Sequence, residues 1–193
     1  MLSKFSLAEV AASFQALLEK VEFSHLDGEP FDCNDGIEKL SNILESARSR
    51  NANVFLVGNG GSAAVVSHVL TDFINVAGLR ARTLHEPSLA TCMSNDYGYK
   101  NIFSQPLSQL ADKGDVLIAV SSSGRSINIL NAVECMKKIG GEVVTLSGFD
   151  KNNHLRRLGN LNIWLPSHNY GLVEIGHLFV LHLIADQYKS DQG

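Results

Sequence analysis

The chain has no apolar run long enough to cross a bilayer, and its opening residues, Met1 to Glu9, carry no secretory pattern. Both absences set the expectation of a cytoplasmic protein with no membrane partner. Basic runs are also missing: 16 Lys and Arg stand against 20 Asp and Glu, a formal net charge of −4. Without a basic stripe to neutralise phosphates, non-specific nucleic-acid binding is excluded as a reading. Cysteine is scarce. Cys33, Cys92 and Cys135 are scattered, odd in number and without metal-knuckle spacing, which speaks against a disulfide scaffold and for a reduced compartment. Internal repeats and low-complexity segments are absent. What remains is ordinary globular composition, 45% apolar and 19% charged over 193 residues, which predicts one domain with ample chain to bury a core.

The chain is organised around Asn53-Val-Phe-Leu-Val-Gly-Asn-Gly-Gly-Ser62. Val54 to Val57 reads as a buried strand that breaks into the turn Gly58-Asn59-Gly60-Gly61. Ser62 falls where a helix N-cap belongs, with the helix running from Ala63 to Val76. Before it, Ser6-Leu-Ala-Glu9 has the capping-box pattern, with Leu7, Val10, Phe14, Leu17, Leu18 and Val21 at helical spacing. A second amphipathic helix, capped by Asp35, carries Ile37, Leu40, Ile43, Leu44 and Ala47. Residues 1–50 therefore read as a helical hairpin and residues 51–193 as an α/β core. In that core, strands at Leu79–Leu84, Asp115–Val120, Glu142–Leu146 and Leu161–Leu165 alternate with helices. Pro87–Met93 and Ile102–Leu110 read as short helices flanking a loop at Ser94–Gly98, Ile127–Lys138 as a helix, and Val173–Tyr188 as a long apolar final helix. Buried strands alternating with helices predict a doubly wound, five-stranded parallel sheet with helices on both faces. Ligands bind such sheets at the carboxyl ends of the strands, near the switch in strand order.

Two turns at strand ends suit an anion. The turn at Gly58 is neither G-x-G-x-x-G nor a Gly-Lys-Ser/Thr loop, but glycines and a helix N-terminus still present free N–H groups. The turn Ser121-Ser-Ser-Gly-Arg-Ser126 adds hydroxyls at a second strand-to-helix junction. A plain capped turn is the alternative at each, and the pair together favours a phosphate. The helix after Ser62 carries His68 and Asp72 at i, i+4, on one face. The final helix carries Glu174, His177 and His182, with Glu174 and His182 about 80° apart around it. Two imidazoles and two carboxylates suit zinc or a similar divalent ion, and serve equally as an acid–base set. Asp72, inside Val-Leu-Thr-Asp-Phe-Ile, needs a partner to be held in an apolar stretch.

In order along the chain, Gly58-Asn-Gly-Gly-Ser62, Asn95-Asp96, Ser121–Ser126 and Glu174-x-x-His177-x4-His182 resemble the sugar isomerase (SIS) fold. More narrowly they resemble the phosphoheptose isomerases. The resemblance runs from about residue 35 to the C-terminus. It implies that Asn59, Gly60, Gly61, Ser62, Ser121, Ser122, Ser123 and Ser126 hold a phosphorylated sugar, with Asn95, Asp96 and Glu174 also on substrate. It implies His68, Asp72, Glu174 and His182 as zinc ligands, and Asp72 and His182 as the proton-transfer pair. It further implies a cytoplasmic homotetramer that isomerises sedoheptulose 7-phosphate for surface-polysaccharide heptose. The family's usual glutamate is Asp72 here, its usual glutamine is Glu174, and Ala63 and Arg125 also depart from the pattern. Two alternatives stand beside this: an isomerase of another sugar phosphate, and a non-catalytic SIS-domain regulator that binds a phosphosugar or a protein such as a replication initiator.

Overall fold

Strands buried on both faces build the centre of the molecule. The computed structural model describes residues 6–26 and 28–190, side chains of the last two excepted; Met1 to Phe5, read above for a secretory pattern, lie outside it. In strand β5 (Val116–Ser121) every residue is buried. Val116, Ile118 and Val120 join one apolar cluster, and Leu117 and Ala119 the other. Strand β3 (Asn53–Val57) divides in the same way, Val54 and Leu56 to one face and Phe55 and Val57 to the other. Successive side chains of a strand point to opposite faces, so both faces of this sheet must be covered.

They are covered by different helices. On the first face lie α2 (Cys33–Ser49), α3 (Gly61–Asn75) and α7 (Tyr170–Ser190), which bring Leu40, Leu44, Val66, Val69, Leu181 and Ile184. On the second lie α5 (Ser104–Leu110) and α6 (Ile127–Ile139), which bring Leu107, Ile129, Val133 and Met136. With β4 (Arg80–Thr83), β6 (Glu142–Ser147) and β7 (Leu161–Trp164), the parallel strands stand in the order β7-β6-β5-β3-β4. Strand order reverses between β3 and β5, so the two turns at Gly58 and Ser121 leave adjacent strand ends at the switch point. At the opposite end, the buried Asp115 carboxylate accepts from Asn53 N–H at 2.7 Å, Asn53 Nδ2 at 3.1 Å and Asp112 N–H at 2.9 Å, pinning the starts of β3 and β5 together.

The expected five parallel strands are present, and two more extend the sheet. Between α1 (Leu7–Leu18) and α2, β1 (Glu22–Ser24) pairs antiparallel with β7 and with β2 (Pro30–Phe31), giving a mixed sheet of seven strands. Three and two residues are too few to show an alternating pattern, so the expected helical hairpin carries a β-ribbon in its link. Helix starts differ too. Asp32, not Asp35, caps α2, accepting from Asn34 N–H at 2.7 Å. Helix α3 begins two residues early, with Gly60 at φ 54° as its cap and Ser62 in its first turn. The expected loop at Ser94–Gly98 is mostly helical, since α4 (Pro87–Tyr97) runs on until Gly98 turns it at φ 79°. Among the described residues no helix is long and apolar enough to cross a membrane.

Candidate functional site

The cradle forms because each turn has a backbone that only its own residues allow. A Cβ on Gly58 would lie 2.6 Å from the Ser62 carbonyl oxygen, and Gly60 takes a positive φ of 54° that side chains disfavour. The first-turn N–H groups of α3, at Gly61 and Ser62, have no partner within the helix. Opposite them, Gly124 at φ 62° folds the serine turn, its N–H donating to the Ser121 carbonyl at 2.9 Å. Neighbours clamp that turn from behind: Gly148 N–H donates to Ser122 O at 2.9 Å and Leu155 N–H to Gly124 O at 3.1 Å. Between the turns lies a cavity of about 250 Å³. Asn59 to Ser62, Ser121 to Ser123, Ser126 and Glu174, all expected from sequence, line it, and Tyr170 completes it. No Lys or Arg is among its lining. Ser122 Oγ is buried without a hydrogen-bond partner. Hydroxyl and N–H donors without a cation are the chemistry that recognises a phosphate through many hydrogen bonds.

Some expected contributors serve differently. The Asn59 amide is taken up by the scaffold, since its Nδ2 donates to Asn128 Oδ1 at 2.9 Å and its Oδ1 accepts from Asn128 Nδ2 at 2.8 Å and Tyr99 OH at 3.1 Å. Asn128, 1% exposed, was not foreseen; its signal was an amide within the apolar Ile127-Asn-Ile-Leu130. Asn95 and Asp96 are not brought to the cavity of their own chain. They lie on α4, a helix with no buried residue, where Asn95 Nδ2 donates to Asp96 Oδ1 at 2.8 Å. His85, also unforeseen, backs the glycine turn with Nε2 2.9 Å from Gly58 O. Burial lowers its pKa, outweighing that hydrogen bond, so its imidazole is held neutral.

Helices α3 and α7 pack on one another, and their contact brings His68, Asp72 and His182 together. Their ligand atoms lie within 4.8 Å of one another, and His182 Nδ1 is 3.1 Å from Asp72 Oδ2. Asp72 Oδ2 is shielded from water, yet no donor is aligned with it as a hydrogen bond. Two imidazoles and a buried carboxylate oxygen short of a donor fit a divalent ion. Glu174 does not join this set. Its carboxylate rests instead against Gly61, at the first residue of α3.

His177, between the two, has neither role. It is fully buried, its Nε2 is 3.1 Å from Ser147 O, and burial lowers its pKa to about 4. It thereby ties α7 to the end of β6. In the unfolded chain the imidazole takes a proton first as pH falls, so its contribution to stability is complete above 6.5 and is lost as pH falls towards 4. The expected drop in unfolding free energy from this residue is about 2 kcal/mol between about pH 7 and pH 5. Urea denaturation at the two pH values measures it, and His177→Gln should remove that part of the slope.

A sheet whose five parallel strands switch order between two turns of glycine and serine defines the class of α/β protein that can take an anionic ligand at its strand ends. The chain belongs to the SIS domain family, whose model matches residues 31–148, and within it to the phosphoheptose isomerases. The phosphoheptose isomerase of Burkholderia pseudomallei is 34% identical over 154 residues, covering 77% of this chain and 78% of that protein. That of Sulfurimonas denitrificans is 32% identical over 163 residues, covering 80% and 82%. The solved structure of a phosphoheptose isomerase from Francisella tularensis superposes with a TM-score of 0.80 at 22% identity, over 97% of this chain and 100% of that one.

Proposed function

We propose that the protein interconverts sedoheptulose 7-phosphate and D-glycero-D-manno-heptose 7-phosphate, supplying heptose for surface polysaccharide. The observation that carries this reading is the pairing of a cradle of hydroxyl and N–H donors with the Asp72–His182 contact on the adjoining helices. A phosphosugar binder with no reaction to perform needs no carboxylate–imidazole pair. Asp72 is the base that takes a proton from one of the two carbons, C1 or C2, and returns it to the other. His182 carries the hydroxyl proton between the two oxygens, so the reaction consumes nothing. A carboxylate has two oxygens, so holding an ion does not stop Asp72 accepting a proton. His68, Asp72 and His182 would hold a divalent ion, zinc by the donor set, and when bound it polarises the substrate carbonyl. The test is incubation of zinc-replete protein with sedoheptulose 7-phosphate, followed by NMR. Appearance of the aldose is expected, and its absence overturns the reading.

Phosphate affinity should depend on the serine turn. Ser121→Ala with Ser123→Ala is expected to raise the dissociation constant of the phosphosugar, at about 1 kcal/mol for each hydrogen bond lost. Calorimetric titration would show it, and an unchanged curve would remove those serines from the site.

The protein is further proposed to be a cytoplasmic homotetramer. Of the apolar residues of α7, Leu181 and Ile184 are spent in the core, but Ile175, Phe179 and Leu183 form an exposed stripe at i, i+4, i+8. Leu7 of α1 is 86% exposed. Apolar surface of this kind marks an interface. Light scattering is expected to return four times the 21.0 kDa chain mass, and the mass of a single chain would rule the assembly out.

A further inference from the structure

We infer that Glu174 is the protein's own occupant of the anion cradle, and that a phosphate enters only by displacing it. The inference rests on the cradle being the phosphate site of the proposed function.

The geometry at Gly61 carries the argument. A Cβ built there would lie 2.2 Å from one carboxylate oxygen of Glu174 and 2.4 Å from the other and from Cδ, so the carboxylate lies flat on the bare Cα at the first residue of α3. Any side chain at position 61 would expel it. Among the described residues, no hydrogen bond or ion pair holds Glu174 elsewhere, and it lines the cavity shared by the two turns. An acidic group is favoured there, because the helix end offers unpaired N–H groups and the positive pole of the dipole. Ser122, 4% exposed and among the lining residues, has its Oγ buried without a hydrogen-bond partner, so the lining keeps a donor that Glu174 does not engage.

A phosphate dianion entering this cavity must push a carboxylate aside, with no Lys or Arg in the lining to offset the repulsion between the two. The repulsion penalises every phosphate equally. It leaves the ratio of two affinities unchanged but raises both dissociation constants. Inorganic phosphate, with only the cradle to hold it, is pushed out of the range that fills the site. A sugar phosphate, with a carbon chain to bind along α3 and α7, remains within range. Glu174 on this argument sets an affinity threshold: it does not alter the preference for one phosphate over another, but it keeps the more weakly held bare anion from filling the cradle.

Titration of inorganic phosphate into the full-length protein, followed by ³¹P NMR or calorimetry, tests this against Glu174→Gln, which keeps the shape and removes the charge. Phosphate is expected to bind the variant at least about tenfold more tightly than the wild type, and sedoheptulose 7-phosphate to tighten by a similar factor. Glu174→Ala, which empties the position, should show the same gain, and serves if the glutamine variant does not fold. Unchanged phosphate affinity in a folded variant overturns the inference, and leaves the isomerase reading intact if turnover persists. Tighter phosphate binding without any turnover in either protein supports the inference and sinks the isomerase reading instead.

Discussion

Asp72→Asn is expected to bind phosphosugar almost as the wild type does, and to turn it over on the order of 100- to 10,000-fold more slowly. Asparagine has nearly the shape of aspartate and still offers an oxygen, but it cannot accept a proton. The carboxylate lies 3.1 Å from His182 Nδ1 and shares its cluster with His68, about three helical turns along α3 from the glycine turn at its start. The substitution should therefore affect the chemical step far more than phosphate capture. Two measurements separate the roles of base and ligand: NMR-followed turnover of sedoheptulose 7-phosphate, and elemental analysis of zinc in both proteins. Lost turnover with retained zinc supports Asp72 as the base. Near-normal turnover would end that assignment.

Gly124→Ala is expected to destabilise the fold by about 2–5 kcal/mol, from left-handed strain together with overpacking. Gly124 sits at φ 62°, and a Cβ there would lie 1.9 Å from Asn153 Oδ1 and 2.8 Å from Asn153 Cβ. Asn153 cannot yield. It is 1% exposed, its Nδ2 donates to Ser147 Oγ, Gly148 O and Asp150 O, and its Oδ1 accepts from Arg156 N–H. The serine turn must move instead, so phosphosugar affinity should fall with stability. Urea denaturation and calorimetry measure the two effects. A variant with wild-type midpoint and affinity would show that the turn tolerates a side chain, against the packing described.

The parallel core was legible because its signals are local. Val54 to Val57 and Val116 to Val120 are continuous apolar runs ended by Gly58 and by Ser121, and each run folds as a fully buried strand. The β1–β2 ribbon was not legible, because it exists only by pairing with β7, whose partner residues lie well over a hundred positions along the chain. Helix ends were misplaced for a similar reason: Asp32 and Asp35 are both sound caps in isolation, and the packing of α2 on the sheet chose Asp32. In the site, the cradle residues were read from motifs at strand ends. Asn128, His85 and Asn153 were missed, because a buried polar side chain that props a loop has no sequence pattern of its own.

Sequence alone determined which residues could be chemical. The spacing of His68 and Asp72 places them on one helical face whatever the rest of the chain does, and the glycine and serine turns require an anion-competent backbone. Only the tertiary structure decided how the carboxylates are shared out. Asp72 meets His182, while Glu174, which the same spacing argument allowed beside it, lies on Gly61 at the mouth of the cradle. Periodicity gives the angle of a side chain around its own helix, but not the height at which one helix packs against another. The packing of α3 on α7 sets that height, and with it the separation of the metal-competent cluster from the phosphate cradle.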